Sequence, residues 1–281
     1  MPSHSTDSVV LSVVVPVLNE AAGISATLDR ILEQQAVDEI IVVDNGSTDD
    51  TPTILRRYQE AHPRIHIVEE SRRGLARARN TGFDSARGEF IARTDGDTLT
   101  DPTWAATIRR HFIEHPETAA VTGITTYHDS PVGFFLRIGF WIQIRRGKLG
   151  GRVGNMHGPN MGIRKASWEA IREFTNTGSH VVEDLDLALC LTTRGQRIDQ
   201  LLDMRATTSP RRRRTNPRDW WQFQLSGLRT ISEHGYDVLP YHRAVVTGAW
   251  LAHTAQWPIY LFWDFDRRRF TLRPIRARAI S

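Results

Sequence analysis

Residues 89–99 read Glu-Phe-Ile-Ala-Arg-Thr-Asp-Gly-Asp-Thr-Leu. Glu89 to Arg93 has the profile of a short buried strand, and it runs directly into Asp95-Gly96-Asp97, two carboxylates flanking a residue with wide backbone freedom. An acidic pair at the carboxyl end of a strand suits a hard cation, because Mg²⁺ and Mn²⁺ take oxygen ligands and bind one or two carboxylates together with a substrate's phosphates. Taken alone, the stretch reads better as a polar turn before a helix started by Asp101-Pro102, since Asp and Gly are ordinary turn residues. The sequence in front of it decides between the two.

Leu11 to Val15 is a continuous apolar run broken by Pro16 and followed by Asn19-Glu20, after which Ile24, Leu28, Ile31 and Leu32 recur at helical spacing. Glu39 to Val43 is a second buried strand, ending in the polar turn Asp44-Asn45-Gly46-Ser47-Thr48-Asp49, with Thr51 as helix cap and Pro52 in the first turn. Ile65 to Val68 gives a third strand, Leu75 to Ala86 a third helix, and Glu89 to Arg93 the fourth strand. Regular β/α alternation predicts an α/β fold, a mainly parallel sheet with helices on both faces. Ligands of such sheets bind beyond the carboxyl ends of the strands, where the loops Pro16 to Glu20, Asp44 to Asp49 and Asp95 to Asp97 converge. The first loop carries neither a Gly-x-Gly-x-x-Gly fingerprint nor a Gly-Lys-Ser/Thr cradle, which disfavours dinucleotide-binding, P-loop and nucleotidyltransferase sites.

Four segments, Val-Val-Val-Pro-Val-Leu-Asn-Glu (13–20), Val-Asp-Asn-Gly-Ser-Thr-Asp-Asp-Thr (43–51), Gly-Leu-Ala-Arg-Ala-Arg-Asn-Thr-Gly (74–82) and Thr-Asp-Gly-Asp (94–97), together resemble the family-2 glycosyltransferases of the A-type fold. The resemblance implies an inverting transferase with a nucleotide-diphosphate sugar donor and a divalent cation, Mg²⁺ or Mn²⁺. Carried over by position, Pro16 and Glu20 line the base and ribose, and Asp44 hydrogen-bonds the nucleoside. Asn45 stands where many relatives have a second Asp. Arg79 and Asn80 fall beside the donor phosphates, although a solvated basic helix face with Arg72, Arg73 and Arg77 explains them equally. Asp97 matches the metal-binding carboxylate, and Asp95 the one that reaches the ribose, a metal-bound water or the metal itself.

Ala119 to Ile124 predicts a further strand. The apolar stretch Gly133 to Arg146 is either a core helix or an acceptor-side or membrane-facing element. His157-Gly158-Pro159-Asn160-Met161-Gly162-Ile163 resembles the family's small-residue strand, and Glu183-Asp184 its acidic pair at a helix start, with Asp184 aligned with the catalytic base. An inverting displacement needs one such base, to take the proton of the acceptor hydroxyl. The segment Ser209-Pro210-Arg211-Arg212-Arg213-Arg214 resembles a loop of some relatives in which one or two arginines, Arg211 and Arg212 here, reach phosphate, the others forming a solvated face. His234, His242 and His253 lack a metal motif and read as ordinary histidines.

The chain has 281 residues, 40% hydrophobic and 24% charged, enough for a full core; we read one domain. Its parts are a nucleotide-sugar half (9–125), an acceptor and catalytic half (126–210), and a basic helical extension (211–281). The single cysteine, Cys190, reads as a core thiol in a reducing compartment. The first residues lack the basic region of a signal peptide, so the expected location is cytoplasmic. Residues 244–263 contain no charged side chain, yet Pro258, His253 and Gln256 argue for a core or interfacial helix rather than a span. With Arg267, Arg268, Arg269, Arg273, Arg276 and Arg278 following it, this segment is the expected site of peripheral attachment to the inner face of an anionic membrane, which would suit a lipid-linked hydroxyl acceptor. The alternatives are an inactive nucleotide-sugar-binding module, against which Asp95, Asp97 and Asp184 speak, and a nucleic-acid-binding module using the arginine run with Trp220, Trp221 and Phe223, for which no recognised module is present.

Overall fold

The computed structural model describes residues 11–265 and 267–275; residues 1–10, on which the signal-peptide reading rests, and Arg276 and Arg278 of the basic segment lie outside the described residues. β1 (Leu11–Val17) is buried at every position, as a β-branched strand covered on both faces must be. α1 (Ile24–Leu32) returns over the sheet with Ile24, Leu28 and Ile31 inward. β2 (Glu39–Asp44), α2 (Thr51–Ala61), β3 (Ile65–Glu69), α3 (Leu75–Ser85) and β4 (Phe90–Arg93) repeat the unit. Thr51 is not the cap of α2: Asp50 holds that position, and the Thr51 hydroxyl donates to Asp49 Oδ1 while accepting from the Glu20 N–H.

The remaining elements are β5 (Thr98–Thr100), α4 (Trp104–Glu114), β6 (Thr118–Tyr127), α5 (Gly133–Arg145), β7 (Gly151–Val153), β8 (Met161–Arg164), α6 (Lys165–Ile171), α7 (Glu183–Thr192) and β9 (Arg197–Thr208). They are followed by α8 (Pro217–Glu233), α9 (Pro240–Leu261) and a hairpin of β10 (Trp263–Asp264) with β11 (Arg269–Phe270). Among the described residues the sheet has nine strands, in the order β3-β2-β1-β4-β8-β6-β9-β5 with β7 beside β9. The first four strands are parallel, β8 inserts antiparallel between β4 and β6, and β9 runs parallel to β6. One apolar cluster packs α1, α2 and α4 on one face of the sheet, and a second packs α3, α6 and α7 on the other.

The register between β6 and β9 shifts between Gly123 and Ile124. Buried Asn160 holds the irregularity, donating through Nδ2 to the Ile124 carbonyl (3.2 Å) and the Met204 carbonyl (3.1 Å) and accepting from Trp104 Nε1 (2.8 Å). A side chain at Gly123 would meet the Met204 carbonyl at 2.0 Å, so only glycine fits there.

α8 and α9 pack against each other through the aromatic stripe of α9. Trp250 Nε1 donates to the Pro217 carbonyl, Trp257 Nε1 to the Arg214 carbonyl, and His253 stacks on Trp220 at 4.3 Å. The uncharged segment 244–263 therefore turns its aromatic side chains toward the protein, with His253 and Tyr260 buried and Trp250 and Trp257 half-buried. No helix among the described residues is long and apolar enough to cross a membrane.

Candidate functional site

The loops after β1, β2 and β4 meet at the carboxyl edge of the parallel strands, as α/β connectivity dictates. Pro16 lies buried in β1, opposite Val43. Its nitrogen shares the strand side of Val14, whose carbonyl accepts from Thr94 where the pairing with β4 ends, so the missing N–H costs no ladder bond. Asn19 ties the first loop to the second, accepting from Thr48 N–H at 2.8 Å. Asp44 closes the second loop by accepting from Ser47 N–H at 2.9 Å. Asn45 fastens the second loop to the third, because its Nδ2 donates to the carbonyls of Glu70 and Arg72 and its Oδ1 accepts from Gly74 N–H. All the hydrogen-bonding directions of that amide serve the loop before α3.

Gly96 is required by close approach, not by an unusual φ. A Cβ there would sit 2.9 Å from Val17 Cγ1 and 3.0 Å from Glu20 Cγ, so the glycine lets the Asp95–Asp97 turn press on the first loop. Asp97 is held by Thr208 Oγ1 (3.1 Å) and by Arg211 Nη2 (2.9 Å), and the same Arg211 nitrogen binds Glu20 Oε2. His128 Nε2 lies 3.3 Å from the Asp97 carbonyl, a contact that no motif announced. Two carboxylates thus share the Arg211 guanidinium, and the third, Asp95, meets Arg93. Burial pushes the Glu20 carboxyl up to about 7; Arg211 opposes the rise, and the charges of Asp97 and Asp95 add to it. Burial also raises Asp95, with Arg93 opposing. The donor set is oxygen only, which fits a hard divalent cation.

The second centre is the first turn of α7. Glu183 is clamped by two fully buried arginines, accepting from Arg79 Nη1 (2.8 Å) and Arg93 Nη1 (2.6 Å). Burial opposes the charge of Glu183, but Arg93 and Arg79 hold its pKa below the usual range. Arg93 also donates to Asp95 Oδ1 at 3.0 Å, so one side chain links the acidic turn to the first turn of α7. Arg79 gives its remaining donors to Asn80 Oδ1, and Asn80 Nδ2 donates to Thr175. Both are committed to this network. Arg79 is neither on an open phosphate face nor solvated.

Asp184 is the less encumbered carboxylate of α7. Its Oδ2 accepts from Gly158 N–H (3.0 Å) and its Oδ1 from Leu185 N–H, and burial together with Glu183 raises its pKa. A raised pKa and spare lone pairs are what a general base needs. Asp186, by contrast, is taken by His234 Nε2 (2.8 Å) and Asn176 N–H (2.9 Å). His234 is therefore a helix-to-helix tie between α8 and α7. Asp186, Cys190 and His234 bring ligand atoms within 4.8 Å of one another, but burial pushes the Cys190 thiol up to about 11, and it donates to the Phe174 carbonyl.

The arginine run divides. Arg211 meets the carboxylates; Arg212 is exposed, its charge lowering Asp95 and Glu183. Arg213 lies over the rings of Tyr127 and Trp220, and Arg214 donates to the carbonyls of Tyr260 and Trp263. Arg213 thus packs between β6 and α8, and Arg214 anchors α9 and the hairpin, rather than forming the solvated face expected of them. His242 and His253 serve a helix start and the α8/α9 packing, away from the acidic turn.

Comparison with known proteins agrees with this architecture. The chain is 30% identical over 129 residues to glycosyltransferase GlyA of Streptococcus pneumoniae, covering 46% of this chain and 18% of that protein. It is 37% identical over 98 residues to glycosyltransferase AglE of Haloferax volcanii, covering 34% of this chain and 32% of that one. The chain thus spans less than a third of the length of these two curated relatives. Among solved structures, the mannosyltransferase PcManGT of Pyrobaculum calidifontis, in complex with GDP-Man and Mn²⁺, shares the fold with a TM-score of 0.64 at 24% identity, over 89% of this chain and 73% of that chain. S. aureus TarS 1–349 with UDP-GlcNAc does so with a TM-score of 0.58 at 18% identity, over 87% of this chain and 72% of that one. The model of glycosyl transferase family 2 matches residues 12–172, more than half of the sequence, and the chain belongs to that family.

Proposed function

We propose that the protein is an inverting glycosyltransferase that moves a sugar from a nucleotide-diphosphate donor to an acceptor hydroxyl. The observation that carries this reading is the placement of two acidic centres, Asp95–Asp97 and Glu183–Asp184, on either side of the buried Arg93 guanidinium, which donates to both. In this reading Pro16, Glu20 and Asp44 receive the nucleoside, and Arg211 and Arg212 face the diphosphate. Asp97, with Asp95, holds Mg²⁺ or Mn²⁺, which when bound neutralises charge on the departing nucleotide. Arg211 exchanges its carboxylate partners for phosphate oxygens, the bidentate partner a guanidinium matches best. Asp184 takes the acceptor proton, and Arg79 and Arg93 keep Glu183 ionised beside it. Arg79 and Asn80 act on the donor side through that network.

The three segments 9–125, 126–210 and 211–281 work as one unit, because the acidic turn, the base helix and Arg211 come one from each of them. The acceptor is lipid-linked and the protein works at the inner, cytoplasmic face of a membrane, a reading supported by the basic C-terminal segment. A thermal-shift screen of nucleotide sugars with Mn²⁺ tests the proposal: the true donor at a hundred times its dissociation constant stabilises by about 2.7 kcal/mol. Absence of any nucleotide-sugar response, with tight binding of a labelled oligonucleotide instead, would overturn it in favour of a nucleic-acid module. Binding of a donor without hydrolysis or transfer would leave an inactive binding module.

A further inference from the structure

Two groups of apolar side chains that the fold leaves outward lie beside the candidate site. α5 exposes Ile138 (41%) and Trp141 (54%) on one stripe, and the Arg145 guanidinium lies over the Trp141 ring at 4.3 Å. The β10–β11 hairpin and the residues after it expose Phe270 (61%) and Leu272 (102%). Contacts join the second group to the turn that precedes the first. Trp263 Nε1 donates to the Asp129 carbonyl (2.7 Å), Arg268 pairs with the Asp129 carboxylate (2.6 Å), and the Tyr260 and Ser130 hydroxyls are 2.8 Å apart. The hairpin is thereby clamped to the turn from which α5 begins.

Charge identifies the partner. Residues 130–168 contain no Asp or Glu but seven Arg and Lys; residues 263–275 contain four Arg against Asp264 and Asp266, and Asp129 pairs with Arg268. Aromatic side chains and arginine also occur in protein interfaces, but a long segment whose charges are all basic, interleaved with exposed apolar and aromatic side chains, matches the headgroup layer of an anionic bilayer. Arg145 over Trp141 is a cation–π contact that holds a cationic head against an exposed apolar ring of α5.

We propose that α5 and the β10–β11 hairpin form the surface by which the protein sits on an anionic phospholipid bilayer, with Ile138, Trp141, Phe270 and Leu272 entering the headgroup layer. The inference rests on the lipid-linked acceptor reading and gives it an address. β6 ends at Tyr127, and the next residue, His128, touches the Asp97 carbonyl. The docking surface therefore starts within a few residues of the acidic turn, where an acceptor hydroxyl tethered to a lipid phosphate has to arrive. It also moves the attachment away from α9, whose aromatic stripe is packed inward.

The test is co-sedimentation of the full chain with phosphatidylcholine vesicles, with and without phosphatidylglycerol, at low and high salt. Three double variants are compared: Ile138→Glu with Trp141→Glu, Phe270→Glu with Leu272→Glu, and the control Val245→Glu with Leu251→Glu on the exposed side of α9, at 67% and 56% exposure. The intact protein is expected on phosphatidylglycerol vesicles at low salt and in the supernatant at high salt. Each of the first two variants should lower the partition coefficient at least about tenfold, and the control should not change it. Should the α5 variant lose its cooperative melt, Arg145→Glu with Arg146→Glu on the same helix replaces it, and should the hairpin variant do so, Arg267→Glu with Arg269→Glu replaces it, with the same expected loss. An intact protein that stays in the supernatant at low salt, binds neutral vesicles equally well, or loses binding only in the α9 control overturns the proposal. Donor-induced thermal shift is read in parallel, so failure of the glycosyltransferase reading shows itself without altering the vesicle result.

Discussion

Arg93 is the residue on which both acidic centres lean: without it Glu183 and Asp95 would face each other as buried carboxylates with one cation fewer. Arg93→Met keeps the volume but strands part of the Glu183 charge, and removal of one partner from a buried pair costs about 3–5 kcal/mol. Urea unfolding should show that loss, and a change below about 1 kcal/mol would mean that water already screens the pair. Asp184→Asn keeps shape and removes the proton acceptor, so turnover should fall by roughly 10² to 10⁴ with donor affinity nearly unchanged. Glu183 and Asp186 are not ready substitutes, because arginines and His234 already occupy them. Near-normal turnover of Asp184→Asn would therefore remove the base from α7 altogether. Asp97→Ala should abolish metal-dependent donor binding while the fold survives, since Thr208 and Arg211 lose only a surface-facing partner; calorimetry with Mn²⁺ and donor decides. The places of Asp97 after a strand and of Asp184 at a helix start were legible in the sequence, because each sits in a short local motif. The roles of Arg93 and Glu183 were not, since their contact spans 90 positions and nothing local marks an arginine in an apolar strand as paired rather than solvated.

At the scale of elements, the β/α units up to β4 follow from hydrophobic period and punctuation, which are local properties and can be read directly. The second half was only partly readable. β8 and β9 are set by pairing with β6 across distances that carry no local signature, and the register shift at Gly123 depends on a buried amide from another segment. Asn160 read as part of a small-residue segment; the structure makes it the pin of the β6–β9 ladder. Asn160→Ala leaves the Trp104 N–H and two carbonyls short of partners inside the core, at about 1–3 kcal/mol for each group left unmade. The expected loss is at least about 3 kcal/mol by denaturant titration. A smaller loss would mean that the bulge is held by backbone geometry alone.

For the molecule as a whole, the site is a contact among three distant parts of the chain, since Arg211 lies 191 positions from Glu20 and 114 from Asp97. Folding must bring these carboxylates together before any ligand compensates them, and pH reports that cost. Glu20 titrates at about 7 when folded, against 4.5 as its ordinary value, because burial and the neighbouring Asp97 and Asp95 outweigh Arg211. A carboxyl whose folded pKa is raised binds more protons folded than unfolded between those two values, so its contribution to stability falls as pH rises through that window and is constant outside it. Other groups shift as well: His111 and His253 are lowered by burial and act in the opposite sense, so the total slope does not isolate Glu20. The difference between Glu20→Gln and the parent protein does. That difference in unfolding free energy should grow in favour of the variant by about 3 kcal/mol from about pH 4.5 to about pH 7, then level off. Added Mn²⁺ should shrink it above about pH 7 if the cation binds the ionised acidic turn and relieves the repulsion that raises Glu20. A difference that stays flat across the window would show that Arg211 fully compensates Glu20 in the folded protein, leaving the guanidinium, not the carboxyl, as the group that a donor has to displace.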